Sequence, residues 1–448
     1  MTRFRGGILK VKTKFVIYFM IVYFFRLAFG LMSHPTLTYF DCTQTYLIGL
    51  KSYTTHTWPY FGPDTEDPSE GTIKAQCPGA LEGLLISAPL YIWPNPISPY
   101  ILVNLFSLSA LGLLGWYCCK RLPNLSPWFV YTWIFICPWD VHISTDILNL
   151  SFVCVGSVLF LLGFMESVPE LSLNIISQNL ANALMGFSIF WIMQFHLSWV
   201  LFAALAFSSF YLQWRERKKL FFIIYFLLGS LPTLATVLPT FIQYGFQKSG
   251  DPSSFMSSFR IDHFLNIFTI LARFLSFSSF EMPRFLGDHT PQRIAFLLRA
   301  PWLLLPALFL LVVGWLQPLA QLVLWFKKKG HPQKDWKVIK TMTLGVVLLV
   351  WISFWFTFRG PDAHRFYSVF PFAMVYFLYC CGFMPQTPKW IMFTKIFMVT
   401  AIFFQVFFAI QNGVEENSNY ARDKDNIQKA IIAKDYSLLG QRRAYSLY

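Results

Sequence analysis

Charge is what this chain has least of. Among its 448 residues only 13% are Asp, Glu, Lys or Arg, while 55% are hydrophobic and the mean hydropathy is +0.49. That balance excludes a soluble domain, whose composition carries roughly a quarter charged residues. Acids are scarcer than bases, 22 against 36, for a formal net charge of +14. No soluble basic stretch exists to turn that excess into a nucleic-acid surface, so no nucleic-acid partner is expected. Other absences narrow the field further. No convincing small-x-small cleavage pattern follows the first apolar run, so that run is expected to stay as a signal anchor. No internal repeat is evident, which argues against a secondary transporter built from repeated halves. The acids Asp64, Glu66, Asp67 and Glu70 match no metal-coordination spacing and read as a solvated, proline-rich turn. No metal and no other cofactor is expected.

What the chain does have is a series of apolar runs of about twenty residues, the length that crosses a hydrocarbon core of roughly 30 Å. Backbone groups in lipid must be paired within their own segment, so these runs are predicted helices. The expected fold class is therefore all-α, a polytopic membrane protein with about eleven transmembrane helices. The predicted spans lie near 15–33, 98–118, 127–139, 147–165, 180–195, 197–213, 219–243, 301–326, 338–358, 366–384 and 390–411. Residues 1–411 then form one transmembrane module, with a first external loop at 34–97 and a large one at 244–300. Residues 412–448 form a small external tail, in which Ile427, Ala430, Ile431 and Leu438 mark an amphipathic helix against the outer surface.

Basic clusters set the orientation. Arg3 to Lys14, Lys120 with Arg121, Arg215 to Lys219, and Lys327 to Lys337 all fall on one side if the N-terminus is cytoplasmic, as the positive-inside bias requires. The same charge gives affinity for anionic lipid headgroups. The apolar stretch Phe264 to Phe280 carries Arg273 and would reverse this pattern if it crossed. It is placed in the 244–300 loop as an interfacial or re-entrant helix.

The side opposite the basic clusters collects the chemistry. Asp41 lies just past the first span, where a carboxylate is costly to desolvate unless paired or hydrated. It opens a predicted surface helix through Thr45 to Lys51, and it also suits the N-cap of that helix. A second surface helix runs Pro78 to Ala88 and carries Glu82, with Leu81, Leu84, Leu85 and Ala88 on one face. Cys42 and Cys77 share this loop, where an oxidising compartment would allow a disulfide and the alternative is two thiols. The turn after the third span holds Asp140, His142 and Asp146, the last also a candidate cap of the fourth span. The turn after the ninth holds Arg359, Asp362, His364, Arg365, Phe366 and Tyr367. Carboxylates on the early turns thus face cations on the late one, and Arg holds phosphate oxygens with a bidentate fork.

Several of these residues carry a resemblance. The setting Tyr39-Phe40-Asp41, the segment Ala88-Pro89-Leu90-Tyr91 that ends the first loop, and the late turn Arg359, Arg365, Phe366, Tyr367 and Pro371 resemble the GT-C superfamily of lipid-phosphate-sugar-dependent glycosyltransferases. Protein O-mannosyltransferases and the bacterial transferases that put aminoarabinose on lipid A would be the nearest members. The resemblance covers the membrane part to about residue 411. One departure is that many members have two adjacent acids at the first site, whereas Asp41 is followed by Cys42. The absence of a large C-terminal soluble domain argues against an oligosaccharyltransferase catalytic subunit.

The resemblance implies an inverting transfer of sugar from a polyprenyl-phosphate-linked donor to an acceptor hydroxyl on a lipid, glycan or protein, with membrane lipids as surroundings. It implies Asp41 as general base; Arg359, His364 and Arg365 as donor-phosphate ligands; and Asp140, Asp146 and Glu82 as sugar- or acceptor-binding groups. The alternatives are an O-antigen-ligase-like transferase using a lipid-diphosphate donor through Arg359 and His364, and a lipid flippase or transporter. With no ER-retrieval signal and no usable external glycosylation site, the expected location is the bacterial cytoplasmic membrane with the site facing the periplasm; the ER membrane is the alternative.

Overall fold

A computed structural model describes residues 2–33, 40–64, 76–217, 220–245, 261–276, 286–287, 290–327, 334–356, 363–384 and 387–439. Among them the chain is helical apart from one antiparallel pair, β1 (Phe61–Asp64) and β2 (Gln76–Pro78). The helices are α1 (Thr2–Ser33), α2 (Phe40–Thr55), α3 (Leu81–Ile92), α4 (Ser98–Arg121), α5 (Pro127–Phe135), α6 (Pro138–Ser144), α7 (Asn149–Ser167), α8 (Gln178–Met193), α9 (Trp199–Arg217) and α10 (Phe221–Tyr244). They continue with α11 (Ile267–Leu275), α12 (Thr290–Arg299), α13 (Leu304–Phe326), α14 (Trp336–Phe354), α15 (Phe370–Cys381) and α16 (Pro388–Ala433).

Among the described residues seven helices are long and apolar enough to cross a membrane: α1 from Lys14, α4, α7, α10, α13 with its leading turn from Pro301, α14, and α16 to Val414. The protein is therefore an all-α, multi-pass membrane protein. α7 is the most enclosed, with 89% of its apolar window buried, whereas α10 and the segment of α13 bury under a third of theirs. A helix that is apolar all round and buried packs on other helices; one that is apolar and exposed is free to face lipid.

The predicted span at 127–139 is two half-helices rather than one. Pro138 disfavours helical geometry at Cys137, whose ψ of 118° ends the run. A helix ending inside the bundle leaves carbonyls without partners. Here the Phe135 carbonyl accepts from Arg26 Nη1 at 3.1 Å, and the Ile136 carbonyl from Gln405 Nε2 at 2.7 Å.

A second helix also ends inside the protein. His263 Nδ1 donates to the Phe354 carbonyl at 2.8 Å, at the far end of α14, and α11 then descends between α13, α14 and α15. Its last carbonyl, on Leu275, accepts from Gln317 at 3.1 Å and from Gln321. Those glutamines lie roughly 20–25 Å along α13 at 1.5 Å per residue. Of the stretch expected to be interfacial or re-entrant, the described part, to Ser276, packs among α13, α14 and α15; residues 277–280 lie outside the described residues.

The basic clusters gather at one end of the bundle. Tyr18, just past Lys14, bonds Thr132 at 2.9 Å. Arg215 pairs with Glu170 at 3.7 Å, and Arg121 reaches Asp335 at 2.7 Å. Arg121 is not the lipid-headgroup anchor that its sequence position implies. It is buried, donating to Tyr117 at 2.9 Å, to Tyr379 at 3.3 Å and to the Leu171 carbonyl, with Glu166 3.9 Å away. Glu166 accepts from Tyr117 at 2.6 Å and from the backbone N–H groups of Leu173 and Ile175 at 3.1 Å. This knot joins the ends of α4, α7 and α15 to the start of α14.

At the opposite end the tail is not a separate helix. α16 runs 46 residues without a break, about 69 Å and over twice the hydrocarbon thickness. Ile427, Ala430 and Ile431 are buried there, as their spacing implies, but Leu438 is not part of that face: it lies past the end of the helix and is exposed. The helix stops at Lys434, which is left-handed (φ 51°), and Tyr436 then comes under the Lys51 ammonium, 5.9 Å from the ring centroid. Burial holds the Lys51 ammonium below its ordinary pKa.

Removing the Arg121 side chain would strand Glu166 and Asp335 inside the protein. Arg121→Ala is expected to cost about 3–5 kcal/mol of stability, read as a lowered midpoint of thermal unfolding in detergent, whereas Arg215→Ala at the exposed pair changes it little.

Candidate active site

The first loop is built around a buried carboxylate. Gly79, at φ +128°, turns the chain out of β2 in a conformation that L side chains rarely adopt, and α3 begins two residues later. Pro78 therefore closes the strand and is not the first residue of the helix, as its sequence context implies. Ala80, at the N-cap of α3, offers no side-chain cap. Its Leu81 N–H instead donates to Gln194 Oε1, at the end of α8, at 3.2 Å. Gln194 is itself fixed: its amide donates to the Phe190 and Thr233 carbonyls at 3.1 Å, and Thr236 donates to its oxygen at 3.0 Å.

Glu82 follows in the first turn of α3, where the helix dipole favours a negative charge. It is fully buried, and Thr45 Oγ1 donates to its Oε1 at 2.7 Å. Thr45 belongs to α2, four residues after Asp41. Residues four apart share a helix face, so Asp41 stands one turn along the face that meets Glu82. Asp41 is the second residue of α2; its side chain, like that of Cys42, lies outside the described residues, and so does the Cys42–Cys77 pairing.

The second carboxylate is Asp140, in α6. It is 0% exposed and pairs with Arg26 of α1 through Oδ2 at 2.7 Å. Its Oδ1 accepts from the Tyr367 hydroxyl at 2.7 Å, and the Cys154 thiol lies 4.0 Å away. Arg26 also donates to Ser144 Oγ. What Asp140 touches is thus Arg26 and Tyr367, and neither oxygen faces solvent. The helix α1 reaches this point because Gly30 has no side chain: a Cβ there would run into the Thr145 carbonyl.

Asp146 is buried too, its Oδ1 accepting from the Ile147 N–H at 2.7 Å. It does not cap α7. That helix starts at Asn149, with Leu148 at its N-cap, and Ser151 Oγ donates to the Asp146 and Ile143 carbonyls at 2.7 Å.

The late turn is a 3₁₀ helix, Ala363–Val369, packed on α6 and α7. The backbones of His364 and Arg365 occupy its first turn; their side chains, and all of Arg359, lie outside the described residues. Through Tyr367 the late turn is joined to Asp140. Through Thr45 and Glu82 the first loop is joined to the turn of α2 that carries Asp41. α7 touches both groups.

Sequence reasoning passed over Arg26, Thr45 and Gln194. For Arg26 a signal was present, since an arginine inside an apolar run faces the protein interior or a partner by default. Thr45 and Gln194 carry no such mark. Among the described residues no group of three His, Cys, Asp or Glu could hold a metal ion.

The fold and these contacts define an all-α, multi-pass membrane protein with buried carboxylates at Glu82, Asp140, Asp146 and Glu166. Comparison with protein-family models, with curated proteins and with solved structures gave no match.

Gln194→Met removes the acceptor for Leu81 and the donors for two carbonyls. It is expected to lower stability by about 1–3 kcal/mol per buried group left unpaired, measured by thermal unfolding in detergent, with Gln194→Glu recovering the share owed to the Leu81 N–H.

Proposed function

We propose that this chain is a membrane glycosyltransferase of GT-C type. It moves a sugar from a polyprenyl-phosphate donor to an acceptor hydroxyl on a lipid, glycan or protein. The observation that carries the reading is the 2.7 Å bond from Thr45 to Glu82, which places a buried carboxylate beside the face of α2 on which Asp41 stands. In this reading the acceptor hydroxyl attacks the anomeric carbon, its proton passes to the Asp41 carboxylate, and the bond from that carbon to the phosphate oxygen breaks with inversion. Glu82, expected to bind sugar or acceptor hydroxyls, is buried and instead holds Thr45 and with it the turn of α2 that carries Asp41. Arg359, His364 and Arg365 stabilise the charge that collects on the departing lipid phosphate. Asp140 and Asp146 act from beneath, shaping the turns around the sugar. The membrane would be a bacterial cytoplasmic membrane with this site on the periplasmic face.

Helices that end inside the protein favour a second reading, a lipid flippase or transporter, because such helices form the substrate sites of many transporters. Against it, the exposed carbonyls at those ends are taken by Arg26, Gln405, Gln317 and Gln321.

A transfer assay in membranes with a pool of polyprenyl-phosphate sugars tests the assignment. Asp41→Asn should reduce turnover on the order of 10²–10⁴-fold with donor binding and expression retained. Unchanged turnover would remove Asp41 as the base and favour the ligase-like use of a lipid-diphosphate donor through Arg359 and His364. Transfer absent from the wild type over the full donor range, with lipid movement present, would establish the transporter. A separate expectation concerns the cations: Arg365→Ala raises the KM for donor more than it lowers kcat.

A further inference from the structure

Nothing in the packing of Tyr367 requires a hydroxyl. The ring is fully buried and stacks on Phe370, with centroids 5.8 Å apart and planes within 15°, and a phenylalanine would do the same. A buried hydroxyl costs free energy unless it is bonded, and this one donates to Asp140 at 2.7 Å. Asp140 already has its countercharge in Arg26. The Tyr367 bond therefore adds a connection, from a carboxylate anchored on α1 to the 3₁₀ helix that carries His364 and Arg365. That helix has seven residues, longer than 3₁₀ geometry usually sustains, because its hydrogen bonds are poorly aligned. It needs an outside hold. His364 and Arg365 lie on the same short helix as Tyr367, so a backbone shift at Tyr367 carries their backbone positions with it.

We propose that Tyr367 is a positioning residue: its hydroxyl, bonded to the Arg26-held Asp140, fixes the 363–369 turn so that its cations meet the phosphate of the lipid donor. The inference rests on the glycosyltransferase reading and names the element that sets donor affinity in it. Arg26 serves two ends at once, since the guanidinium that anchors Asp140 also closes the carbonyl end of α5. The late turn is thereby registered against α1 and the broken helix, not against the neighbouring loops alone.

The test uses the full chain in lipid nanodiscs, with polyprenyl phosphate as the binding probe and the transfer assay beside it. Tyr367→Phe keeps the ring and its stack, and thermal unfolding verifies that it folds. Its Kd for polyprenyl phosphate and its KM for donor should rise about tenfold, the equivalent of one buried hydrogen bond, while kcat and the acceptor KM stay within about twofold. Placed on an Arg365→Ala, His364→Ala background, Tyr367→Phe should add nothing further, because residues acting through one another are not additive. A fall in kcat with unchanged KM would mean a smaller active fraction and overturns the proposal. So does a full additional loss on the doubly substituted background. Wild-type affinity in Tyr367→Phe, in a protein that binds the probe and transfers sugar, overturns the positioning role alone. A wild type that neither binds polyprenyl phosphate nor transfers sugar overturns both this role and the reading on which it rests.

Discussion

The burial of one arginine in the first membrane-spanning helix constrains the rest of this molecule. A guanidinium inside a bilayer is tolerated only where it is paired and its donors are used. Arg26 is paired by groups from two adjoining elements more than a hundred residues along the chain: Asp140 and Ser144 in α6, and the Phe135 carbonyl at the end of α5. Removing the acid would leave the charge unpaired, and removing the arginine would leave Asp140 buried and the end of α5 exposed. Because Tyr367 shares the same carboxylate, the late 3₁₀ turn is held by the same interaction.

A comparable arrangement closes the other end. Arg121 binds Asp335, Tyr117, Tyr379 and a carbonyl after α7, with Glu166 nearby. Each knot joins helices distant in sequence, and between them the connections are mainly aromatic and aliphatic packing, as in the stack of Trp133 between Phe377 and Phe397. Buried ion pairs of this kind add little net stability over an apolar alternative. What they contribute is register: apolar helices can slide and rotate against one another, whereas a guanidinium donating at once to an acid and to groups on other elements cannot. Register is what a site assembled from separate turns requires, since Asp41, Glu82 and the 363–369 turn come from three parts of the chain.

The inward-ending α11 and the broken α5–α6 segment follow one rule. A helix that stops within lipid depth exposes carbonyls that no water reaches. Both ends are met by side-chain donors from long spans, Gln405 and Arg26 in one case, Gln317 and Gln321 in the other. A glutamine inside an apolar run is a weak mark when read along the chain, because its partner lies hundreds of residues away or in a different loop. Only the folded arrangement shows what it serves.

Amino-acid order alone determined the class, since chain-long hydropathy and the helix requirement in lipid depend on local composition. It also determined that the first loop carries two helices, that the stretch from Phe264 is helical without joining the long spans, and the buried face of the tail at Ile427, Ala430 and Ile431. Each of these is carried by spacing within about a dozen residues. The tertiary structure decided where the span at 127–139 breaks, that Arg121 turns inward, that Asp140 is held by Arg26 and Tyr367, and that Glu82 sits against Thr45 with its helix capped by Gln194. These are pairings across tens to hundreds of residues, set by which helices lie side by side, and no local period records them.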